Sequence, residues 1–251
     1  MCSFCGKKNE PRRIPAPDWM SREFIYYPVQ FCSCEQGQRL RREFEDASTQ
    51  KEWLKRAKEI IKPIEKKRWG KYRFSSWERF RAGGDAARWQ DAIEKYADHV
   101  KNTGANWLFV HGNNGTGKTH LSVAATRKIA ANNLWKPAIV VWVELCTTTK
   151  EGWSSKDFNE RAAWQPARDA GILLIDDLDK IPSEKWAMGK LLALLNHRSD
   201  NQMPTIITAN HSIEELETRW GNDDIWRAVL SRIGGQLSAV IEMNGEDSRW
   251  A

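Results

Sequence analysis

Residues 111–119 read HGNNGTGKT, with the apolar run 107–110 leading directly into them and a helix-compatible stretch behind. No other segment constrains the fold as much, because it requires a strand before it, a helix after it and a tight loop of main-chain N–H groups between. Gly112, Gly115 and Gly117 let the backbone bend and turn its amides inward around a phosphate, with Asn113, Asn114 and Thr116 completing the cradle. Lys118 is spaced to reach β- and γ-phosphates and Thr119 to hold Mg2+ through its hydroxyl, with His120 joining the nucleotide-contacting set at the next position. The segment reads as a P-loop for ATP.

A second motif, GILLIDD at 171–177, is a continuous apolar run ending in two carboxylates. It predicts a buried parallel strand that delivers acids to its carboxyl edge, the Walker B arrangement. Asp176 is assigned to the Mg2+ shell and Asp177 to orienting the attacking water. The usual acid at the second place in such ATPases is Glu, one methylene longer. A third apolar strand, 204–208, follows a helix predicted over 186–197 and a connection from 198 to 203, and ends at Asn210, where an amide can sense a γ-phosphate without adding charge. Asn210 could instead cap the next helix. Ser212 already fits that task, however, and Glu215 completes a capping box with it.

These residues, together with LSRI at 230–233 and GEDSR at 245–249, resemble the DnaC/DnaI-type AAA+ helicase loaders and their IstB-type relatives in content and order over residues 72–251. The resemblance implies a doubly wound α/β parallel-sheet core of the AAA+ class. It implies Arg232 as an arginine finger toward a neighbouring subunit's γ-phosphate and Arg249 as a sensor-2 arginine. The implied activity is ATP hydrolysis, and the implied role is loading a replicative DNA helicase onto single-stranded DNA. An IstB-type transposition helper and an ATP-binding protein that sequesters a helicase stand as alternatives. Nineteen residues follow Arg232, too few for a large helical lid. Such a small loader would suit a phage or prophage. The segment 71–80 is similar to the aromatic linker that borders the adenine in this clade. Phe74, Trp77 and Phe80 suit either stacking on the base or ordinary core packing.

The chain has 251 residues, enough for one such core and a small accessory module. Its apolar runs are strand-length, far short of the ~20 residues of a membrane span, and its first residues lack the apolar region of a secretory signal. A reducing cytoplasmic setting without a membrane partner is expected. Cys2, Cys5, Cys32 and Cys34 then fall into two close pairs with zinc-ligand spacing in a proline-rich stretch too small to fold on apolar burial alone. By the resemblance, DnaI-type loaders carry such a zinc module and many DnaC-type members do not. Cys146, after a strand predicted at 138–143, reads as a small buried hydrophobe.

The formal charge of +6 is concentrated in residues 39–81, where fifteen Lys/Arg face seven Asp/Glu, +8, leaving −2 for the remainder. Contact with a polyanion or acidic partner and a solvated helix face both account for this. Apolar residues at 40, 44, 47, 54, 57 and 61 predict an amphipathic helix over 38–61, closed by Pro63, followed by the basic linker 66–70. This helix could tether the zinc module, dock on a partner or pack on its own ATPase domain. The stretch 147–156 is predicted as a loop in which Lys150, Lys156 and Trp153 could meet single-stranded DNA, or be ordinary loop residues. The fourteen tryptophans follow no period. The domain division expected is 1–37 zinc module, 38–71 helix and linker, and 72–251 ATPase, with an oligomer completed through Arg232.

Overall fold

The computed structural model describes residues 13–15, 24–26, 47–77, 84–100, 106–180, 184–220, 223–245 and 247. The four amino-terminal cysteines, Phe80, Arg249 and the first part of the predicted amphipathic helix lie outside these residues. Two short strands, β1 (Arg13–Pro15) and β2 (Phe24–Tyr26), pair antiparallel. Then come α1 (Ala47–Glu65), a 3-10 turn at Arg68–Lys71, the single turn α2 (Phe74–Trp77) and α3 (Gly84–His99).

The core alternates strands and helices in the order β3 (Trp107–His111), α4 (Lys118–Asn133), β4 (Pro137–Val141), α5 (Trp142–Gly152) and α6 (Glu160–Asp169). It continues through β5 (Ile172–Asp176), α7 (Lys185–Asp200), β6 (Thr205–Thr208), α8 (Ile213–Trp220), α9 (Asp224–Gln236) and β7 (Leu237–Glu242). The five strands form one parallel sheet in the order β4-β5-β6-β3-β7. Helices cover both faces, so successive residues of a central strand enter opposite cores. Leu108 and Val110 of β3 pack toward α1, α3 and α4, whereas Trp107 and Phe109 pack toward α5 to α9. Burial on both sides is why these strands read as unbroken apolar runs.

Four sequence expectations are corrected. The strand predicted over 138–143 ends at Val141, because Trp142 opens α5, fully buried and edge-to-face with Trp164 at 5.4 Å. The loop predicted over 147–156 is helical through Gly152. Thr147 and Thr149 satisfy their hydroxyls on the carbonyls four residues back, Val143 and Leu145, at 2.9 and 2.7 Å, so the threonine run does not break the helix. The helix expected over 186–197 continues to Asp200, taking in Arg198. Pro63 lies inside α1 rather than closing it. So close to the carboxyl end it removes one main-chain bond, and Lys66 N–H still reaches Lys62 O at 3.1 Å.

The described part of the amphipathic helix packs on its own ATPase domain: Trp53, Ala57, Ile61 and Ile64 join the core that contains α4. Glu65 fixes its end by accepting from Arg127 Nη2 at 2.9 Å and Arg73 Nη2 at 3.1 Å. Cys146 is fully buried in α5, and burial, then the Glu184 carboxylate, pushes its thiol up to about 12. Tryptophans occur in close pairs on the other face, Trp153 with Trp186 at 4.9 Å and Trp220 stacked on Trp226 at 3.7 Å. Among the described residues no helix is long and apolar enough to cross a membrane.

Candidate nucleotide site

The P-loop leaves β3, which lies between β6 and β7, beside the strand-order reversal where open α/β sheets bind ligands. Gly112, Gly115 and Gly117 adopt φ of 131°, 71° and 89°, the left-handed half of conformational space that this loop needs. All three also admit neighbours, and at Gly112 a Cβ would lie 2.3 Å from Met243 O. At Gly117 a Cβ would lie 2.2 Å from Cζ3 of Trp77, and at Gly115 it would lie 1.7 Å from a carboxylate oxygen of Asp247. The aromatic linker and the segment after β7 therefore both rest directly on the loop. Gly117→Ala is expected to combine left-handed strain with overpacking against Trp77 and to lower unfolding free energy by about 2–3 kcal/mol. Urea denaturation checks this, and a loss below about 0.5 kcal/mol would contradict it.

Trp77 and Phe74 are buried, so core packing accounts for both, and Trp77 donates Nε1–H to Ala86 O at 3.2 Å. His120 belongs to this clamp. Its ring lies 5.3 Å from Trp77 and 5.0 Å from Tyr72, and its Nε2 is 2.8 Å from Arg73 O and 3.1 Å from Ser76 Oγ. The structure thus uses His120 to seat the linker against α4. After β7, Met243 N–H donates to His111 O at 2.7 Å, and Asn113 Nδ2 donates to Gly245 O at 3.4 Å. Thr116 closes the loop on itself by donating to Asn113 O at 2.9 Å, while Asn114 is exposed at its tip.

Lys118 is buried and donates to Gly112 O and Asn113 O, each at 2.7 Å. Burial lowers its pKa, opposed by the carboxylates of Asp177, Asp179 and Asp176. Thr119 Oγ1 donates to Asp176 Oδ1 at 2.9 Å, and Thr208 Oγ1 donates to the same oxygen at 2.6 Å. The P-loop, the end of β5 and the end of β6 thereby meet on one carboxylate. Burial raises the Asp176 pKa, partly offset by the Thr208 bond, and the adjacent Asp177 raises it further. A carboxylate beside a threonine hydroxyl is a hard oxygen set of the kind that suits Mg2+. Among the described residues no cluster of three or more His, Cys, Asp or Glu side chains could hold a metal ion by itself.

Asp177 has φ 57°, a non-glycine residue in the left-handed region, where Asp is better tolerated than most. Its N–H donates to Thr208 Oγ1 at 2.9 Å, and its carboxylate accepts from Lys180 Nζ at 2.7 Å. Asn210 follows β6 and donates its N–H to Asp179 Oδ2 at 3.0 Å and its Nδ2 to Oδ1 at 3.4 Å. The helix cap next to it is supplied by Ser212 and Glu215, which exchange reciprocal bonds of 3.2 and 2.7 Å. Asn210 therefore takes no part in that cap and is held by Asp179. Asp179 and its other partner, His211, escaped the sequence reading, since neither stands in a motif. Arg232 lies apart, on α9, donating Nε–H to Asn196 Oδ1 at 2.7 Å in a groove of about 300 Å³ between α7 and α9.

A five-stranded parallel sheet with a P-loop on the strand between β6 and β7, a Walker B carboxylate on the Thr119 hydroxyl and an amide at the end of the adjacent strand β6 defines a nucleotide-binding domain of the AAA+ class. The chain belongs to the bacterial DnaA ATPase domain family, which matches residues 71–222. It is 24% identical over 166 residues to the replicative helicase loader DnaI of Bacillus subtilis (strain 168), covering 63% of this chain and 51% of that protein. It is 27% identical over 157 residues to the phage-like element PBSX protein XkdC of the same organism, covering 58% and 57%. The crystal structure of the DnaC helicase loader shares the fold with a TM-score of 0.58 at 21% identity, over 70% of this chain and 99% of that one. The chain spans about half the length of the curated relatives it matches.

Proposed function

We propose that the protein is an ATP-regulated loader of a ring-shaped replicative helicase onto single-stranded DNA. The observation that carries the ATPase part is the meeting of Thr119 with Asp176, residues 57 positions apart, at the carboxyl edge of the sheet beside Lys118. The similarity to loaders named DnaI and DnaC supports the partner. In this reading the loop amides receive the β-phosphate and Lys118 exchanges its two carbonyl partners for phosphate oxygens. Thr119 and Asp176 would hold Mg2+, which neutralises charge developing between the β- and γ-phosphates. Asp177 orients the attacking water, and Asn210 holds it or the γ-phosphate by hydrogen bonds.

Arg232 is proposed to leave Asn196 and reach the nucleotide of a neighbouring copy in a self-associated or mixed ring, and Arg249 to approach the phosphates from its own chain. Cys2, Cys5, Cys32 and Cys34 are proposed to bind Zn2+ in a module, residues 1–37, that contacts the helicase. Residues 38–71 would then connect it to the ATPase domain at 72–251. Single-stranded DNA is proposed to meet the α5–α6 side through Trp153, which is half-exposed. Lys150 there is paired with Glu184 and has to exchange that partner for a phosphate.

Affinity capture from source-cell lysate tests this, using Asp177→Ala to retain ATP and Lys118→Ala to lose it. Nucleotide-dependent recovery of the replicative helicase with Asp177→Ala, abolished in Lys118→Ala, is the expected result. Recovery of a transposase without helicase would contradict it.

A further inference from the structure

Asp179 is a charged group inside the site to which the ATPase reading gives no task. It sits in the 3-10 turn Leu178–Lys180, with its side chain only 3% exposed. Three donors from the β6–α8 connection converge on it: Asn210 N–H and Nδ2, and His211 Nδ1 at 2.8 Å. On its other side the His211 ring meets α8, with Nε2 at 3.2 Å from Arg219 Nη1. A guanidinium only donates, so Nε2 is the acceptor there and the imidazole proton lies on Nδ1, directed at Asp179. An ionised carboxylate only accepts, so it draws the NH2 end of the Asn210 amide toward itself. With main chain and side chain of Asn210 held by the two oxygens of one carboxylate, at 3.0 and 3.4 Å, a flip or swing of the amide breaks a part-buried bond.

We propose that Asp179 is the positioning residue of the γ-phosphate sensor. It fixes the Asn210 amide in a single orientation toward the phosphate and, through His211 and Arg219, ties that orientation to helix α8. This rests on Asn210 and the P-loop serving ATP as described above. It adds that the discrimination between ATP and ADP depends on a carboxylate that touches neither the nucleotide nor the reacting water.

The test compares wild type, Asp179→Ala, Asp179→Asn, Asn210→Ala and the double variant Asp179→Ala/Asn210→Ala. Two quantities are measured: the ratio of ATPγS to ADP affinity by calorimetry, and kcat for Mg-ATP. Asp179→Asn keeps the side-chain volume and one acceptor oxygen, so it carries the test if Asp179→Ala does not fold. Expected is unchanged ADP affinity, with both the affinity ratio and kcat lowered about tenfold by Asp179→Ala, as for a sensor displaced by a fraction of an ångström. Asn210→Ala should match this loss, and the double variant should lose no more than either single one, since both act through one amide. Independent, multiplying losses would overturn the proposal, as would a wild-type affinity ratio in Asp179→Ala and Asp179→Asn. Wild-type turnover no greater than that of Lys118→Ala would instead remove the ATPase reading and leave the affinity ratio to decide the positioning role.

Discussion

An Arg198→Ala variant is expected to lose about 3–5 kcal/mol of unfolding free energy, because the change strands several buried acceptors at once. Arg198 is fully buried in the last turn of α7, and the acceptors it reaches are neutral. Its Nε donates to Thr205 Oγ1 at 2.9 Å, Nη1 to Ala170 O at 2.8 Å and Ala167 O at 3.1 Å, and Nη2 to Pro204 O at 2.6 Å. One guanidinium thus satisfies the end of α6, the approach to β5 and the start of β6, and only a planar fork of five N–H groups fits that set. Lys keeps the charge but not the fork, so Arg198→Lys should recover less than half of the loss. Urea denaturation of the three proteins checks the order. A loss below about 1 kcal/mol for Ala would mean that water replaces the guanidinium at little cost.

Asp177→Asn should bind ATP with wild-type affinity yet turn it over about 100-fold or more slowly, the usual consequence of removing a group that orients or deprotonates a nucleophile. Asn is the right substitution because it shares the tolerance of Asp for the left-handed backbone at φ 57°, so the Asp177 N–H to Thr208 bond and the end of β5 are preserved. Only the charge is removed, along with its ion pair to Lys180. Calorimetry with ATPγS and a steady-state phosphate-release assay separate binding from turnover. Undiminished turnover would transfer the water-orienting role away from Asp177.

The P-loop, the Walker B strand and the Ser212 cap were legible in the sequence because each is a local pattern whose chemistry needs those residues at that spacing. The end of β4 was not, since an apolar run cannot distinguish the close of a buried strand from the first turn of a buried helix, and Trp142 is both apolar and buried. The helical Thr147–Thr149 stretch was hidden for the opposite reason. Its residues disfavour helices by propensity, and their hydroxyl bonds to the preceding turn become visible only once the helix exists. By sequence Arg198 falls in the connection after the helix, and nothing local marks its burial, because its acceptors come from segments around residues 170 and 204. Asp179 is likewise given meaning only by the fold, which brings it to Asn210 across 31 positions. The amphipathic stripe of α1 was plain, but a stripe does not name what covers it; the contacts of Trp53, Ala57, Ile61 and Ile64 do.

Helix α4 begins at Lys118 and runs sixteen residues, about 24 Å. Its first turn holds Lys118 of the P-loop, while Arg127 in its later half grips Glu65 at the end of α1 and Lys128 grips Glu94 and Asp98 of α3. Such a strut joins the P-loop to the helices packed beside it. With nucleotide bound as proposed, a tilt of about 5° at the P-loop end would become a displacement of roughly 1 Å at Arg127 and Lys128, where the helix meets α1 and α3. Under the proposed function, α4 would therefore link the occupancy of the P-loop to the position of α1.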